Sequence, residues 1–179
     1  MRFTYGKQDA RTLERAQETG FLLTNGLGGY ASTTAAFSTP RADQAILAAA
    51  LRAPNERISL VHRLSETLSI GKKEVFLSSQ EFSDGRKAED GYRYLTGFTY
   101  EYTPEWIYRV GGVQVRRQCA MACEKNTSAV LYTIENRDQV PCTLDVTPYL
   151  KFAPKETALE RLDRTYTYEN GKVTSGDYT

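Results

Sequence analysis

The residues of this sequence with the clearest potential for chemistry lie in a glycine-rich stretch, residues 21–38. An apolar run opens the stretch and leads to Asn25, and three glycines follow at Gly26, Gly28 and Gly29. Glycines this close together indicate a backbone that needs positive φ angles or approaches another group closely. That group could be a phosphate, a sugar or another part of the protein, and each of these implies a different function.

A dinucleotide site is one interpretation, because Gly26, Gly28 and Ala31 match the pattern G-x-G-x-x-A. In such a site the pyrophosphate lies at the N-terminus of a helix that begins directly after the glycines. Here a Ser/Thr tract follows, and Pro40 ends the segment within nine residues of Ala31. The sequence therefore disfavours a bound nucleotide, and it predicts no cofactor of any kind.

Other residue types that serve catalysis or metal binding form no recognisable motif. Acid–base hydrolysis needs two carboxylates near a common point, and no acidic residue lies in a pattern that marks it as catalytic. The single histidine, His62, has no Ser or Cys motif beside it. Cys119, Cys123 and Cys142 would all have to converge with His62 to form a four-ligand zinc site. The sequence therefore predicts no catalytic residue and no metal site.

Aromatic residues are the remaining candidates, and they cluster between residues 92 and 108. Aromatic rings suit the apolar faces of pyranose sugars, and tyrosine hydroxyls can bond sugar hydroxyls. Aromatics also pack well on β-sheets, which is the better explanation for strand positions such as Trp106. Tyr92 and Tyr94 fall in a predicted loop, so they are the first choices for stacking on a sugar.

Composition narrows the possible partners. The chain has 23 Lys and Arg residues against 22 Asp and Glu, so it lacks the basic excess that nucleic-acid binding requires. Its longest apolar run, residues 45–51, is too short to cross a membrane, although it is long enough for a buried strand. The N-terminus lacks the apolar segment of a signal peptide. We therefore predict a cytoplasmic domain that binds neither nucleic acid nor membranes.

Most of the chain follows the pattern of short β-strands, in which apolar and polar residues alternate between turns. Helical segments long enough for parallel β-α-β units are missing, so the predicted fold class is mostly β, an antiparallel sandwich. Three hairpin turns are predicted, at Gly71-Lys72, Gly111-Gly112 and Asn170-Gly171.

Within such a sandwich, the glycines of the opening stretch act as turn and close-packing positions between the first strands. Asn25 is then expected to cap the turn and Tyr30 to anchor it. This interpretation replaces the one in which the glycines bind the phosphates of a nucleotide. It leaves open whether the turn also faces a sugar.

A short N-terminal helix is the predicted exception to the β pattern, over residues 9–19 with Asp9 as its N-cap and a glycine after its end. We accordingly divide the chain into an N-terminal arm with this helix, residues 1–20, and a β-sandwich domain, residues 21–179. Residues 79–93 are the predicted long exposed loop. Because the chain stops directly after a hairpin, we expect the domain to belong to a longer polypeptide.

The run LLTNGLGGYAS, residues 22–32, closely resembles the opening signature of the bacterial and archaeal glycogen debranching enzyme family. Shorter similarities follow in order, among them Leu-Ser-Glu-Thr-Leu at residues 64–68 and the spacing of Pro104, Trp106 and Tyr108. The resemblance covers about residues 18–150. It implies an N-terminal β-sandwich of the super-sandwich type, followed in the same polypeptide by an α/α-barrel that carries the catalytic carboxylates.

The resemblance implies that this barrel hydrolyses α-1,6-glucosidic branch points of glycogen, as an amylo-α-1,6-glucosidase, and that the present domain alone is inactive. The implied partners are the C-terminal catalytic domain and α-glucan. An alternative is a stand-alone α-glucan-binding module that uses loop aromatics. Eight residues are the resulting candidates for contact with substrate or with the catalytic domain: Asn25, Gly28, Gly29, Tyr30, Arg41, Tyr92, Tyr94 and Trp106.

Two segments depart from the pattern of that family. Residues 41–45 read Arg-Ala-Asp-Gln-Ala, where the family commonly has Arg-Arg-Tyr-His-Gly. Residues 151–154 read Lys-Phe-Ala-Pro, where the family often has an arginine and a histidine. If the family's residues touch substrate or the barrel, this chain has lost or rebuilt that contact.

Overall fold

Two antiparallel β-sheets pack face to face in the computed structural model of the protein, which describes residues 2–52, 55–82, 88–158, 165–176 and 178. The predicted fold class, an antiparallel β-sandwich with one short N-terminal helix, is confirmed. No helix among the described residues is long and apolar enough to cross a membrane.

Strands make up most of the described chain. In order they are β1 (Phe3–Gly6), β2 (Gly20–Thr24), β3 (Tyr30–Thr34), β4 (Ala45–Arg52), β5 (Glu56–Ile70), β6 (Lys73–Phe76), β7 (Ser79–Gln80), β8 (Glu89–Asp90), β9 (Leu95–Tyr100), β10 (Pro104–Val110), β11 (Val113–Met121), β12 (Ser128–Asn136), β13 (Cys142–Pro154), β14 (Thr167–Glu169) and β15 (Lys172–Thr174). A helix, α1 (Leu13–Glu18), and a 3-10 helix, Gly91–Tyr94, complete the elements.

The first sheet has the strand order β1-β9-β10-β11-β12. The second has the order β13-β5-β4-β3-β2, and β6 also pairs with β5, beyond the end of β4. The pairs β7-β8 and β14-β15 form two small sheets of their own. All three predicted hairpins are confirmed, because β5-β6, β10-β11 and β14-β15 each turn at the expected residues.

The helix is shorter than the sequence predicts. Thr12, not Asp9, caps it, because the Thr12 hydroxyl accepts a hydrogen bond from the Arg15 backbone N–H. The Asp9 carboxylate instead accepts from the backbone N–H of Gly6, at 2.8 Å, and closes a turn before the helix. The predicted start is one turn too early because the Asp9 side chain bonds the turn before the helix and not the helix itself. The helical pattern of the sequence does not show which of these two bonds an Asp side chain makes.

Residues 79–93 are only partly the exposed loop that the sequence predicts, and residues 83–87 lie outside the described residues. Ser79, Glu89 and Gly91 are buried. Glu89 forms a two-pronged ion pair with Arg63 of β5, with N–O distances of 2.8 and 3.1 Å, and it also accepts from Ser65 and Ser78 hydroxyls. This carboxylate holds the segment against the outer face of β5, where a hydrophilic pattern alone predicts solvent exposure.

The core between the two main sheets is aromatic and centres on Trp106, which is fully buried. The rings of Phe21, Phe37 and Phe98 lie with their centroids 5.4, 5.2 and 5.1 Å from the Trp106 ring. The Trp106 indole N–H donates to the backbone carbonyl of Ala35 at 2.9 Å. These contacts join the first sheet, which carries Trp106, to the second sheet and to the turn after β3.

A charged pair crosses the same core. Arg117 of β11 is 1 % exposed and pairs with the fully buried Glu66 of β5. Glu66 also accepts from the Tyr132 hydroxyl, and Arg117 donates to the Tyr108 hydroxyl. The guanidinium carbon of Arg117 lies 3.4 Å from the centroid of the Phe37 ring. A buried ion pair is tolerated when both partners have such additional contacts.

One side of the sandwich is covered and the other is not. On one side lie the edge strands β1 and β2, and the connection between them contains α1. Leu13 and Ala16 of α1 are buried in the core. We call this side of the sandwich the closed side. At the other side lie the edge strands β12 and β13, and apolar residues that point inward remain partly exposed. We call this the open side and define it by six residues: Val130, Tyr132, Ile134, Cys142, Leu144 and Val146.

Candidate functional site

A cleft of about 640 Å³ opens on the face of β2 and β3 that points away from the core. Three of the predicted site residues line the cleft: Gly28, Tyr30 and Arg41. Asp43 and Arg57, which the sequence does not single out as site residues, line it as well. The cleft therefore lies beside the glycine-rich turn that the sequence singles out. We define the glycine turn as residues 25–29.

Asn25 builds this turn from the inside. Its side-chain oxygen accepts from the backbone N–H groups of Leu27 and Gly29, both at 2.9 Å, and the backbone of Asn25 pairs with that of Gly29. Gly26 and Gly28 have φ angles of 79° and 96°, which favour glycine. The predictions that the glycines are turn positions and that Asn25 caps the turn are thus both confirmed.

Asn25 also ties the turn to the other sheet. Its side-chain amide donates to Asn126 Oδ1 at 3.1 Å and to the Lys125 carbonyl at 3.0 Å, in the turn between β11 and β12. Asn126 in turn forms two hydrogen bonds with the backbone of Ala50 in β4. A Cβ on Gly29 would lie 2.6 Å from Asn25 Nδ2 and 2.9 Å from Asn126 Oδ1, so only glycine fits. Asn25 and Gly29 thus support the cleft from below.

Tyr30, which the sequence predicts to anchor the glycine turn, holds the wall of the cleft. Its hydroxyl donates to the backbone carbonyl of Asp43, in the connection between β3 and β4. Burial and the nearby Asp43 carboxylate raise the pKa of Tyr30, so the hydroxyl stays protonated and remains a donor. Tyr30 thereby links the glycine turn to the segment that contains Arg41.

Arg57 is the cationic group that comes closest to the glycine turn. Its Nε donates to the Gly28 carbonyl, and its guanidinium carbon lies 6.0 Å from the centroid of the Tyr30 ring. Its two terminal amino groups bond no described residue, so they are free to donate into the cleft. Sequence reasoning missed Arg57, because a single arginine near the start of a long strand gives no signal of what lies across the sheet.

Arg41 and Asp43 form an exposed ion pair at 3.3 Å on the rim of the cleft. Gln44 shapes this rim, because its side-chain oxygen accepts from the Arg41 backbone N–H and its carbonyl contacts His62 Nδ1. His62 is buried and also bonds Thr39. Burial, and secondarily the positive charge of Lys151, lowers the pKa of His62 to about 4. Neutral His62 therefore supports the rim from the core.

The two segments that depart from the family's pattern contact each other. Lys151 is fully buried, and its Nζ donates to the Ala42 carbonyl at 2.7 Å and to the Lys155 carbonyl at 2.8 Å. Lys155 itself lines the cleft. The lysine thus joins the end of β13 to the rim of the cleft.

Tyr92, Tyr94 and Trp106 do not line the cleft. Tyr92 and Tyr94 lie on the 3-10 helix and are half-buried against the core, with cationic Arg93 and Lys73 near their rings. Trp106 is a core residue, as its strand position predicts. A contact of Tyr92 or Tyr94 with sugar stays a prediction that this geometry does not favour.

The cleft combines hydrogen-bond donors and acceptors of both charges. Arg41, Arg57 and Lys155 supply donors, while Asp43 and the exposed Glu18 supply carboxylate oxygens. Side-by-side donors and acceptors suit the vicinal hydroxyls of a neutral sugar, whereas a strong anion would need an excess of unpaired cations. Among the described residues no group of three or more His, Cys, Asp and Glu side chains could hold a metal ion.

Comparison with known proteins gives one match. The family model described as the N terminus of glycogen debranching enzyme matches residues 20–176, which is most of the chain. No curated protein and no solved structure is similar enough to this chain to match it. The matched range begins at β2, so it takes in the glycine turn, most of the cleft lining and both edges of the open side. The chain therefore belongs to the family of N-terminal domains of glycogen debranching enzymes.

Proposed function

We propose that this chain is the non-catalytic N-terminal domain of a glycoside hydrolase that debranches glycogen. In this proposal it packs on an α/α-barrel of the same polypeptide and shapes the entrance of the active site, where the barrel hydrolyses α-1,6-glucosidic branch points. The match to the N-terminal debranching family over residues 20–176 is the observation that carries the proposal.

The state of the buried carboxylates supports a non-catalytic role. Glu66 is fully buried and paired with Arg117, and Glu89 is paired with Arg63 and bonded by two serines. Neither carboxylate can reach a glycosidic oxygen. Asp43 lines the cleft but is bound in an ion pair with Arg41. The other carboxylate in the cleft lining, that of Glu18, is exposed, so neither cleft carboxylate lies in the buried site that raises the pKa of a catalytic acid.

The glycine turn and the cleft are the surface that we assign to the active-site entrance. Asn25, Gly29 and Asn126 fix this surface to both sheets, so it can hold a defined shape against a neighbouring domain. Asn25, Gly28, Gly29, Tyr30 and Arg41 then act at this contact, either through the shape of the turn or through exposed polar groups.

Activity of the polypeptide that contains this chain tests the proposal. The full-length product should release glucose from phosphorylase limit dextrin, whereas residues 1–179 alone should release none. Absence of glucose from the full-length product would contradict the assignment to branch-point hydrolysis. Glucose release by residues 1–179 alone would contradict the non-catalytic role.

Direct α-glucan binding is a second candidate, favoured by the mixed polar lining of the cleft. Titration of malto-oligosaccharides into residues 1–179 should then give saturable binding. Arg57→Met should weaken it about tenfold, because the free guanidinium donors are lost while the side chain keeps its length. Tyr92→Ala and Tyr94→Ala are the matched controls, and we expect them to have no effect. Loss of binding in these two variants instead would place the sugar on the loop aromatics.

A further inference from the structure

We propose that the open side is a docking site for extended β-strands, one along β12 and one along β13, which the parent polypeptide supplies from outside residues 1–179. The inference rests on the proposed function, because it requires a longer polypeptide around this domain. It identifies which surface joins the domain to the rest of the enzyme, and by which kind of contact.

The register of β12 shows that its exposed apolar residues belong to the core face. Ile134 lies directly opposite Val115 in the β11-β12 pair, and Val115 is buried. Tyr132 lies opposite the buried Arg117. Directly opposite residues of an antiparallel pair point to the same face of the sheet. Ile134 therefore points inward although it is 39 % exposed, which means that the core is unfinished at this edge.

The same is true of β13 in the other sheet. Leu144 lies opposite the fully buried Leu68, and Val146 lies opposite the fully buried Glu66. Leu144 and Val146 thus face the core, yet Leu144 is only half-buried and Val146 is 38 % exposed. Each sheet therefore stops one strand too early to cover the apolar residues of its own last strand.

The backbone of both edges is available for pairing. Among the strands of the described residues, β12 pairs with β11 alone and β13 with β5 alone. An unpaired edge invites a further strand unless charges or prolines protect it. From Ser128 to Ile134 the β12 strand carries neither. In β13 the first proline is Pro148, and residues 142–147 carry a single charge, Asp145, which alternates with the inward Leu144 and Val146. We therefore expect the added strand to pair with residues 142–147 of β13 and not beyond.

These two features specify the occupant. Added strands satisfy the edge N–H and C=O groups, and apolar residues at every second position would fill the space over Val130, Ile134 and Val146. A helix or a flat surface could cover the apolar residues but would leave the edge groups unpaired. A segment of the same polypeptide has an effective concentration in the millimolar range, so it outcompetes a second copy of the chain.

The native thiols provide the measurement. Cys142 is half-buried, pairs with Ile70 and lies on the open side, whereas Cys123 is exposed and Cys119 is buried. Alkylation of each cysteine is followed by mass spectrometry in residues 1–179 and in the full-length polypeptide. We expect Cys142 to react about tenfold or more slowly in the full-length protein, because docked strands must open first. Cys123 serves as the unchanged reference.

Lysine substitutions locate the contact. Ile134→Lys and Val146→Lys place a charge inside the docked layer, so in the full-length protein they should raise the Cys142 rate to that of residues 1–179. Leu131→Gln is the control, because Leu131 is 60 % exposed and lies opposite Gln118 on the outward face of β12, and glutamine adds no charge to the edge. We expect it to leave the Cys142 rate unchanged.

Three results would overturn the docking proposal: equal Cys142 rates in the two proteins, a natural polypeptide that ends at residue 179, or protection of Cys142 in residues 1–179 that increases with concentration. The last would show that a second copy covers the open side. A full-length protein that protects Cys142 but releases no glucose would contradict the proposed function and leave the docking contact intact. A full-length protein that releases glucose but leaves Cys142 unprotected would contradict the docking contact and leave the proposed function intact.

Discussion

The two sides of this sandwich have edge strands of similar kind but very different cover. At the closed side, α1 lies between β1 and β2 in the chain, and Phe21 of β2 packs on Trp106 at the centre of the core. At the open side, a short connection runs from β12 to β13 and leaves their inward residues half-exposed. The local connection through α1 therefore completes the core on one side, whereas the connection from β12 to β13 leaves the core partly exposed on the other.

Removal of the charge that joins the two sheets should break the structure at both sides. Glu66→Leu leaves Arg117 buried without its counter-charge, so we expect a loss of about 3–5 kcal/mol in the free energy of unfolding. The double variant Glu66→Leu/Arg117→Met should recover much of this loss, because no charge remains buried. Urea denaturation measures both. Glu105→Leu is the control, since that carboxylate is only loosely paired with Arg116, at 3.9 Å, and should cost less than about 1 kcal/mol.

One truncation at each side tests how completely that side is packed. Phe21→Ala removes a 4 % exposed ring from the closed side and should cost about 3–4 kcal/mol. Val146→Ala at the open side should cost less than about 1 kcal/mol in residues 1–179, because its methyl groups are already partly in water. Chemical denaturation of both variants gives the two values. Equal costs would mean that the open side is as well packed as the closed side.

Acid should destabilise the rim of the cleft through His62. The pKa of about 4 in the folded state lies below the ordinary value of 6.5, so the unfolded chain binds the proton more readily. The stability that neutral His62 provides is complete above about pH 6.5 and falls as the pH drops toward 4, by about 3 kcal/mol. His62→Gln should lose this part of the pH dependence. The free energy of unfolding is measured for both proteins between pH 7 and pH 4. The same dependence on pH in both would contradict the prediction.

Truncation of the side chain that holds the glycine turn should have a smaller effect. Asn25→Ala leaves the backbone N–H groups of Leu27 and Gly29 without their acceptor, and it frees Asn126 from one contact. We expect a loss of about 2 kcal/mol in thermal or urea unfolding. Asn55→Ala, in an exposed turn, is the control and should change stability by less than about 0.5 kcal/mol.

Local chemistry made much of the fold predictable. Glycine pairs and Asn-Gly identify hairpins because positive φ angles suit those turns, and alternation identifies strands because side chains point to opposite faces. The inward position of Trp106 and the turn-capping role of Asn25 follow from the same local rules. The helix start was wrong because Asp9 and Thr12 are both good caps and only the preceding turn decides between them.

The candidate site depended on contacts that no local pattern contains. Asn25 meets Asn126 across about a hundred residues of sequence, and Arg57 reaches Gly28 from another strand. The pairing of Lys151 with Ala42 likewise joins distant segments. Resemblance to a family indicated the glycine turn and Arg41 but gave no reason to choose Arg57, because its role follows from sheet register alone.

Trp106 is the only tryptophan of the chain, and it is fully buried beside the guanidinium of Arg117, 4.7 Å from the ring centroid. Its fluorescence is therefore a single-site signal from the centre of the sandwich. Emission should shift to longer wavelength only when the two sheets separate. Trp106 lies neither in the lining of the cleft nor among the residues of the open side, so we expect its emission to follow unfolding and not the occupancy of either surface.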